Sequence, residues 1–333
     1  MSFSLCLVLF IFLRRIIVNR NQKIFQKKYN QIEMDILKAI SSSDVMACLK
    51  IAQKYRFQSN VLIKVLTDYL DIIKGREKEK LKTIFNHVLK EKCLKELNSA
   101  WTAKKLKVLR LFVIFSDPSD IKTVIKFLHD KPVLRLTVIN ALSKIQEPET
   151  ASYILQAFEE DPHPNLLGYM HSLYVLGNII VNPLKEYLKK PLPAEKLGML
   201  IELVGAIPIR SLYSDIIVFS EHPDKEIRIR VARALGNMQI PDSIEILKKL
   251  ANDSSWIVNA QALKSLGKMK SLDAVKIITR GLFSPFWNVR YNAGYGLANL
   301  GVEGIKQLKR VAKQKKDRYA ADMASMVLGN IIY

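Results

Sequence analysis

Apolar and small residues recur at a fixed step along the last two thirds of the chain. Leucine-glycine-like pairs stand at Leu176-Gly177, Val204-Gly205, Leu235-Gly236, Leu266-Gly267 and Leu328-Gly329, and Leu111-Phe112, Leu142-Ser143 and Leu297-Ala298 fill the remaining rungs. From residue 111 onward the steps are 31, 34, 28, 31, 31, 31 and 31 residues. Three residues after each rung the side chain is apolar, at Ile114, Ile145, Ile179, Ile207, Met238, Met269, Leu300 and Ile331. Four residues before it stand Val138, Leu200, Val231, Ala262, Ala293 and Ala324, with Lys107 and Ser172 as exceptions. Offsets of three and four share one helical face, so each rung marks the buried stripe of a helix. A step of this length copies one supersecondary unit, which buries its apolar face only against its neighbours.

Prolines locate the helix ends independently, because proline lacks a backbone donor and clashes inside a helix. Pro118, Pro148, Pro183, Pro208 and Pro241 fall four to seven residues after a rung, in a turn within a repeat. Pro132, Pro162, Pro164, Pro191, Pro193, Pro223 and Pro285 fall ten to fourteen residues before one, in a turn between repeats. Asp242 and Ser243 open a second helix with Ile244, Leu247 and Leu250 at helical spacing. Each unit is therefore expected to be a helical hairpin.

Ile227-Arg228 with Ala234-Leu235-Gly236, Val289-Arg290 with Ala293 and Leu297, and Leu134-Arg135 with Ala141-Leu142 resemble the HEAT-repeat family. More narrowly, they resemble its short-period, phycobilisome-lyase-type repeats. The resemblance implies an all-α, right-handed α-α superhelix, a HEAT-like solenoid of about eight units of about 31 residues over 101–333. It also implies a ladder between stacked units, with an arginine early in the first helix and an aspartate in the following turn. Arg135, Arg228 and Arg290 match the first position and Asp242 and Asp273 the second, while Asn259 and Ala321 depart from it.

Ahead of the repeats, Met1 to Leu13 carry only Ser2 and Ser4 as polar side chains. Phe3, Leu5, Leu7, Phe10, Phe12 and Leu13 read as a membrane anchor helix over 1–18, lengthened by Ile16, Ile17 and Val18 if Arg14 and Arg15 snorkel. The basic flank Arg14, Arg15, Arg20, Lys23, Lys27 and Lys28 predicts a single pass of the inner membrane, with the repeats in the cytoplasm and the flank against an anionic membrane surface. A secretory signal fits less well, since nothing basic precedes the apolar run. Residues 19–100 read as a basic stalk and irregular helical hairpins, with Asp44 and Asn60 as helix caps.

Charge adds a second hint. The net charge of +21 divides into ten basic and three acidic residues over 1–60, fifteen and nine over 61–130, eight and nine over 131–220, and nineteen and ten over 221–333. Lys306, Lys309, Arg310, Lys313, Lys315, Lys316 and Arg318 form a candidate partner-binding patch around the last inter-repeat turn. A solvated polar end of the stack is the simpler account of the same residues. Trp101, Trp256 and Trp287 each stand ten residues before a rung, where a large ring would cover the turn between repeats.

Catalytic chemistry is not visible. His87, His129, His163, His171 and His222 stand singly, and Cys6, Cys48 and Cys93 show neither ligand spacing nor a disulfide framework. No phosphate loop or nucleophile elbow occurs, so no catalytic residue, metal or cofactor is expected. The sequence reading is a membrane-anchored scaffold for a protein partner, which resemblance to bacterial membrane HEAT proteins links to envelope polysaccharide machinery. Nucleic-acid binding by the basic final repeats, or a lyase- or glycosylase-type HEAT enzyme, are the alternatives.

Overall fold

The computed structural model describes residues 2–42, 44–70, 72–115 and 117–331, without the side chains of residues 2–6, 8 and 9. Every regular element among the described residues is helical. Contacts divide the chain into two units, Met1–Ala141 and Leu142–Tyr333.

Unit 1 opens with α1 (Ser2–Ser41), followed by α2 (Val45–Lys54), α3 (Ser59–Leu70), α4 (Arg76–Ile84), α5 (Lys90–Leu97), α6 (Thr102–Phe115) and the short α7 (Ile121–Val124). Among the described side chains of α1, its end is packed: Ile32, Ile36, Ala39 and Ile40 are buried at helical spacing, and the helix rests on α2, α3 and α4. Two tyrosines fasten it to α3, Tyr29 donating to Asp68 Oδ2 at 2.9 Å and Tyr69 to Glu33 Oε1 at 2.6 Å. Asp44 caps α2 as its residue type predicts, accepting from Met46 N at 2.8 Å. Asn60 lies inside α3, whose first residue is Ser59.

The spanning anchor and the single-pass inner-membrane placement are overturned. Among the described residues no helix is long and apolar enough to cross a membrane. Arg14 and Arg15 break the apolar run directly after Leu13, and the side chains of Phe3 and Leu5 lie outside the described residues. Leu7, Phe10, Phe12 and Leu13 are exposed on α1, and so are Arg14, Arg15, Arg20, Lys23, Lys27 and Lys28.

Between α4 and α5 the helix widens into a π turn over Phe85–Leu89. This turns Phe85 into α6, where its ring stacks on Phe115 at 4.1 Å and meets Phe112 edge-on at 6.4 Å. Cys93, one turn into α5, is buried without a disulfide partner, and burial pushes its thiol up to about 11. A neutral, enclosed thiol is a poor nucleophile. Alkylation of Cys93 at neutral pH should therefore follow local opening, slow in buffer and fast in denaturant; rapid labelling of the folded chain would contradict this packing.

The helix α8 (Pro132–Ile145) carries the boundary between the units. Unit 2 continues with α9 (Pro148–Glu160), α10 (Leu166–Leu176), α11 (Val181–Leu188), α12 (Ala194–Ala206), α13 (Tyr213–Ile217), α14 (Lys225–Met238), α15 (Ser243–Leu250) and α16 (Trp256–Met269). It closes with α17 (Val275–Gly281), α18 (Trp287–Asn299), α19 (Val302–Ala312) and α20 (Arg318–Ile331). First helices stack in order, α10 on α12, then α14, α16, α18 and α20, and the shorter second helices pack beside them. Residues 101–141, which share the 31-residue step, fall within unit 1.

The rungs are the core of this stack. Leu142, Leu176, Val204, Leu235, Leu266 and Leu297 are buried, as are Leu200, Val231, Ala262, Ala293 and Ala324 four residues earlier. The position three residues later behaves less uniformly: Met238 and Leu300 are buried, but Ile331 is exposed. It falls in the last turn or just past it, at the margin of the stack.

Glycine at three of the rungs is explained by distance, and at Gly177 by its left-handed φ of 56° instead. A Cβ on Gly205 would lie 2.5 Å from Ala234 Cα, one on Gly236 2.5 Å from Ser265 Cβ, and one on Gly267 2.4 Å from Gly296 Cα. First helices thus touch backbone to backbone, which only a missing side chain permits. Gly329, on the final first helix, meets nothing within 4 Å.

Candidate interaction surface

Turns joining one hairpin to the next leave backbone carbonyls at a helix end without helical partners. A cation at the start of a first helix satisfies them. Arg228 Nη1 donates to His222 O at 2.7 Å and Pro223 O at 3.0 Å, and Arg290 Nη1 donates to Ser284 O at 2.8 Å and Pro285 O at 3.0 Å. In unit 1, Arg135 Nε donates to Leu128 O at 2.8 Å. Lys196 of α12 is 8% exposed and donates to Glu159 O and Asp161 O, both at 2.7 Å. Such charge-assisted bonds hold a turn in one shape.

Arg228 also takes a carboxylate in both hands. Its Nε donates to Asp253 Oδ2 at 2.7 Å and its Nη2 to Asp253 Oδ1 at 2.9 Å, while Asp253 Oδ1 accepts from Ser255 N at 2.8 Å. Burial opposes ionisation of Asp253, but Arg228 and the Ser255 N–H outweigh it and hold the carboxyl below its usual range. The same separation of 25 residues recurs in unit 1, where Lys105 reaches Asp130 at 3.5 Å.

Asp242 is therefore not the partner of Arg228. Arg228 sits at the start of α14 and Asp242 lies beyond its far end, and fourteen helical residues separate such positions by roughly 20 Å. Asp242 and Asp273 are both exposed in turns within a repeat. Asp253 is the residue that sequence reasoning passed over; its signal is an aspartate two residues before the capping position of the next first helix.

Along the stack, side chains on successive first helices are also joined. Glu202 of α12 accepts from Arg230 and from Arg233 of α14, the latter at 2.8 Å. Lys268 of α16 donates to Asn237 of α14 at 2.7 Å, and Asn330 of α20 donates to Tyr295 of α18 at 2.8 Å.

Aromatic rings collect at the start of the last first helices. Trp256 stacks on Phe286 at 5.3 Å and covers the turn as its position predicts. Trp287 instead stays 53% exposed, stacked on Tyr291 at 4.9 Å, which leads to Tyr295 at 4.6 Å. Trp101, in unit 1, is likewise exposed. Arg290 lies over the ring of Tyr319 at 5.3 Å and so joins the 284–286 turn to the start of α20.

The basic cluster runs from α19 through the turn to the start of α20, next to Tyr319. Lys306 meets Glu303 at 3.8 Å and Arg318 meets Asp322 at 3.6 Å. Lys309, Arg310, Lys313, Lys315 and Lys316 are exposed. Their turn is ordered: Gln314 Oε1 accepts from Lys316 N at 2.7 Å and Asp317 N at 3.0 Å, and Asp317 Oδ1 accepts from Ala320 N at 3.0 Å. Phe286 was not legible as a neighbour of the Arg318-Tyr319 end of this cluster, because Arg290 joins its turn to Tyr319 across helices. Among the described residues no group of three or more His, Cys, Asp or Glu side chains could hold a metal ion.

Comparison with known proteins agrees with the geometry. The family described as HEAT repeats matches residues 214–283. No curated protein matches the chain. Among solved structures, an engineered protein is 15% identical, with 91% of this chain and 99% of that chain covered and a TM-score of 0.39. The complex of CpcE and CpcF of phycocyanin lyase from Nostoc sp. PCC7120 is 18% identical, with 72% and 94% covered and a TM-score of 0.33. At such scores the likeness says nothing of function. Residues 214–283 match HEAT repeats, and the stack of hairpins that contains them is an all-α, HEAT-like solenoid.

Proposed function

We propose that this chain is a non-enzymatic scaffold that binds a protein partner along its stacked first helices. The observation that carries this reading is the cross-helix locking of surface groups, Glu202 with Arg230 and Arg233, Asn237 with Lys268, and Tyr295 with Asn330. Side chains held between neighbouring helices lose little freedom on association, so a long surface is presented at low entropic cost. A reaction would instead need a nucleophile or base placed beside a second functional group in a cleft.

The test is retention of a partner by the purified full chain from extracts of its own cells, at about 0.1 M and about 0.5 M salt, bracketing weak and strong screening. A protein retained in fixed ratio at both salts, and lost when Glu202, Arg230 and Lys268 are replaced together by alanine, is the expected result. Retention only of salt-sensitive nucleic acid would replace this reading with the phosphate-binding one, whose affinity falls steeply with salt.

A further inference from the structure

Residues 274–333 contain ten basic and three acidic residues. All three acids are committed internally: Glu303 to Lys306 at 3.8 Å, Asp322 to Arg318 at 3.6 Å, and Asp317 to the start of α20 at Ala320 N, 3.0 Å. Among the described residues, Lys309, Arg310, Lys313, Lys315 and Lys316 have no carboxylate partner within the chain. A free cation cluster on an ordered turn is an unneutralised field looking outward.

Exposed rings stand on the turn before α18, at its start, and at the start of α20. Phe283 is 44% exposed, Phe286 46%, Trp287 53% and Tyr319 72%. Arg290 ties the two turns that carry them, bonding Ser284 O and Pro285 O while lying over Tyr319. Exposed Trp, Tyr and Phe with arginine is the composition of an energetic hot spot in protein interfaces, and a polar rim is what surrounds one. Earlier turns of the stack lack the combination, with Asp224-Lys225 and Pro193-Ala194 at the places of Phe286-Trp287.

We propose that the turn edge around Phe286, Trp287 and Tyr319, with Arg310, Lys313, Lys315 and Lys316, is a docking surface for an acidic protein segment that carries aromatic or aliphatic anchor residues. Charge complementarity selects the acidity, and the exposed rings select the anchors. A single-stranded nucleic acid fits less well, since base stacking needs open ring faces. Trp256 already covers a face of Phe286, Tyr291 a face of Trp287, and Arg290 a face of Tyr319. Apolar side chains can instead pack against the ring surface left in solvent. The inference rests on the scaffold reading and names the class of partner for one end of it.

A defined probe tests it: a glutamate-tyrosine random copolymer, compared with polyglutamate and with oligothymidylate of matched charge. Binding to the full chain is read by anisotropy of the labelled probe, and ring contact by tryptophan emission. The copolymer should bind about tenfold tighter than polyglutamate, the size of one hot-spot contact. Trp287→Ala should remove that preference and leave polyglutamate binding unchanged. Lys315→Glu with Lys316→Glu should weaken both polymers at least tenfold, with far-UV circular dichroism unchanged because these side chains are exposed. Equal affinity for the two polypeptides, a preference that survives Trp287→Ala, or tighter binding of oligothymidylate would each overturn the proposal. A cellular partner still retained by the Trp287 and lysine variants would sink this site and leave the scaffold reading standing.

Discussion

Gly267→Val should destabilise unit 2 by about 3 kcal/mol, whereas Gly329→Val, the equivalent rung two repeats later, should change stability by no more than about 0.5 kcal/mol. A Cβ at Gly267 would stand 2.4 Å from Gly296 Cα, and that atom is backbone, which cannot rotate away. The α16 and α18 helices would have to separate, opening the contact on which Leu266 and Leu297 are buried. Valine's helix propensity, a few tenths of a kcal/mol better than glycine's, offsets little of this. At Gly329 nothing lies within 4 Å, so only propensity remains. Because a repeat stack is nearly a sum of nearest-neighbour interfaces, Gly267→Val should also split unfolding into two steps, visible in urea titration by far-UV circular dichroism. Equal destabilisation by the two substitutions would mean that close helix approach is not what the glycines serve.

Asp253→Ala is expected to cost about 3 kcal/mol at neutral pH, the low end for breaking a buried pair. The side chains are only 14% and 10% exposed, so the arginine left behind cannot recover full hydration. It keeps His222 O and Pro223 O, which is why the loss stays at that low end. Asp253→Asn preserves an acceptor for Ser255 N and should fall between alanine and wild type. The acid dependence has a definite sign. Asp253 is held below its ordinary value, so its ionised form stabilises the fold above that value, and the contribution disappears as pH falls through the folded one. The gap between wild type and Asp253→Ala should therefore be full at pH 7 and shrink below about pH 4. A gap independent of pH would mean that the Asp253 charge contributes nothing.

Much of unit 2 is legible because its information is local and repeated. Leu235, Leu266 and Leu297 recur every 31 residues, and each is buried on a first helix. Proline did the same for boundaries, with Pro132 and Pro148 opening α8 and α9. Two other ends gave no signal, since Gln239 and Lys270 take the left-handed cap of α14 and α16 with φ of 52° and 54°, where glycine is the usual marker. The apolar start was legible as hydrophobic but misleading as a span, because Arg14 and Arg15 divide it and no described helix is long and apolar enough to cross a membrane.

Sequence by itself determined the helical hairpins, their step and the buried rungs, because side-chain period and proline geometry act within a few residues of chain. Only the tertiary structure decided which charges meet. Arg228 and Asp253 are 25 residues apart in sequence and bonded in space, while Asp242, nearer in sequence, lies past the opposite end of a rigid helix. Tertiary contact also separated two tryptophans of the same register, stacking Trp256 on Phe286 of the next turn and leaving Trp287 half exposed beside Tyr291 of its own helix. The reason is physical: a repeat fixes positions along the stack, but charge pairing and ring exposure depend on what the neighbouring turn supplies at that point.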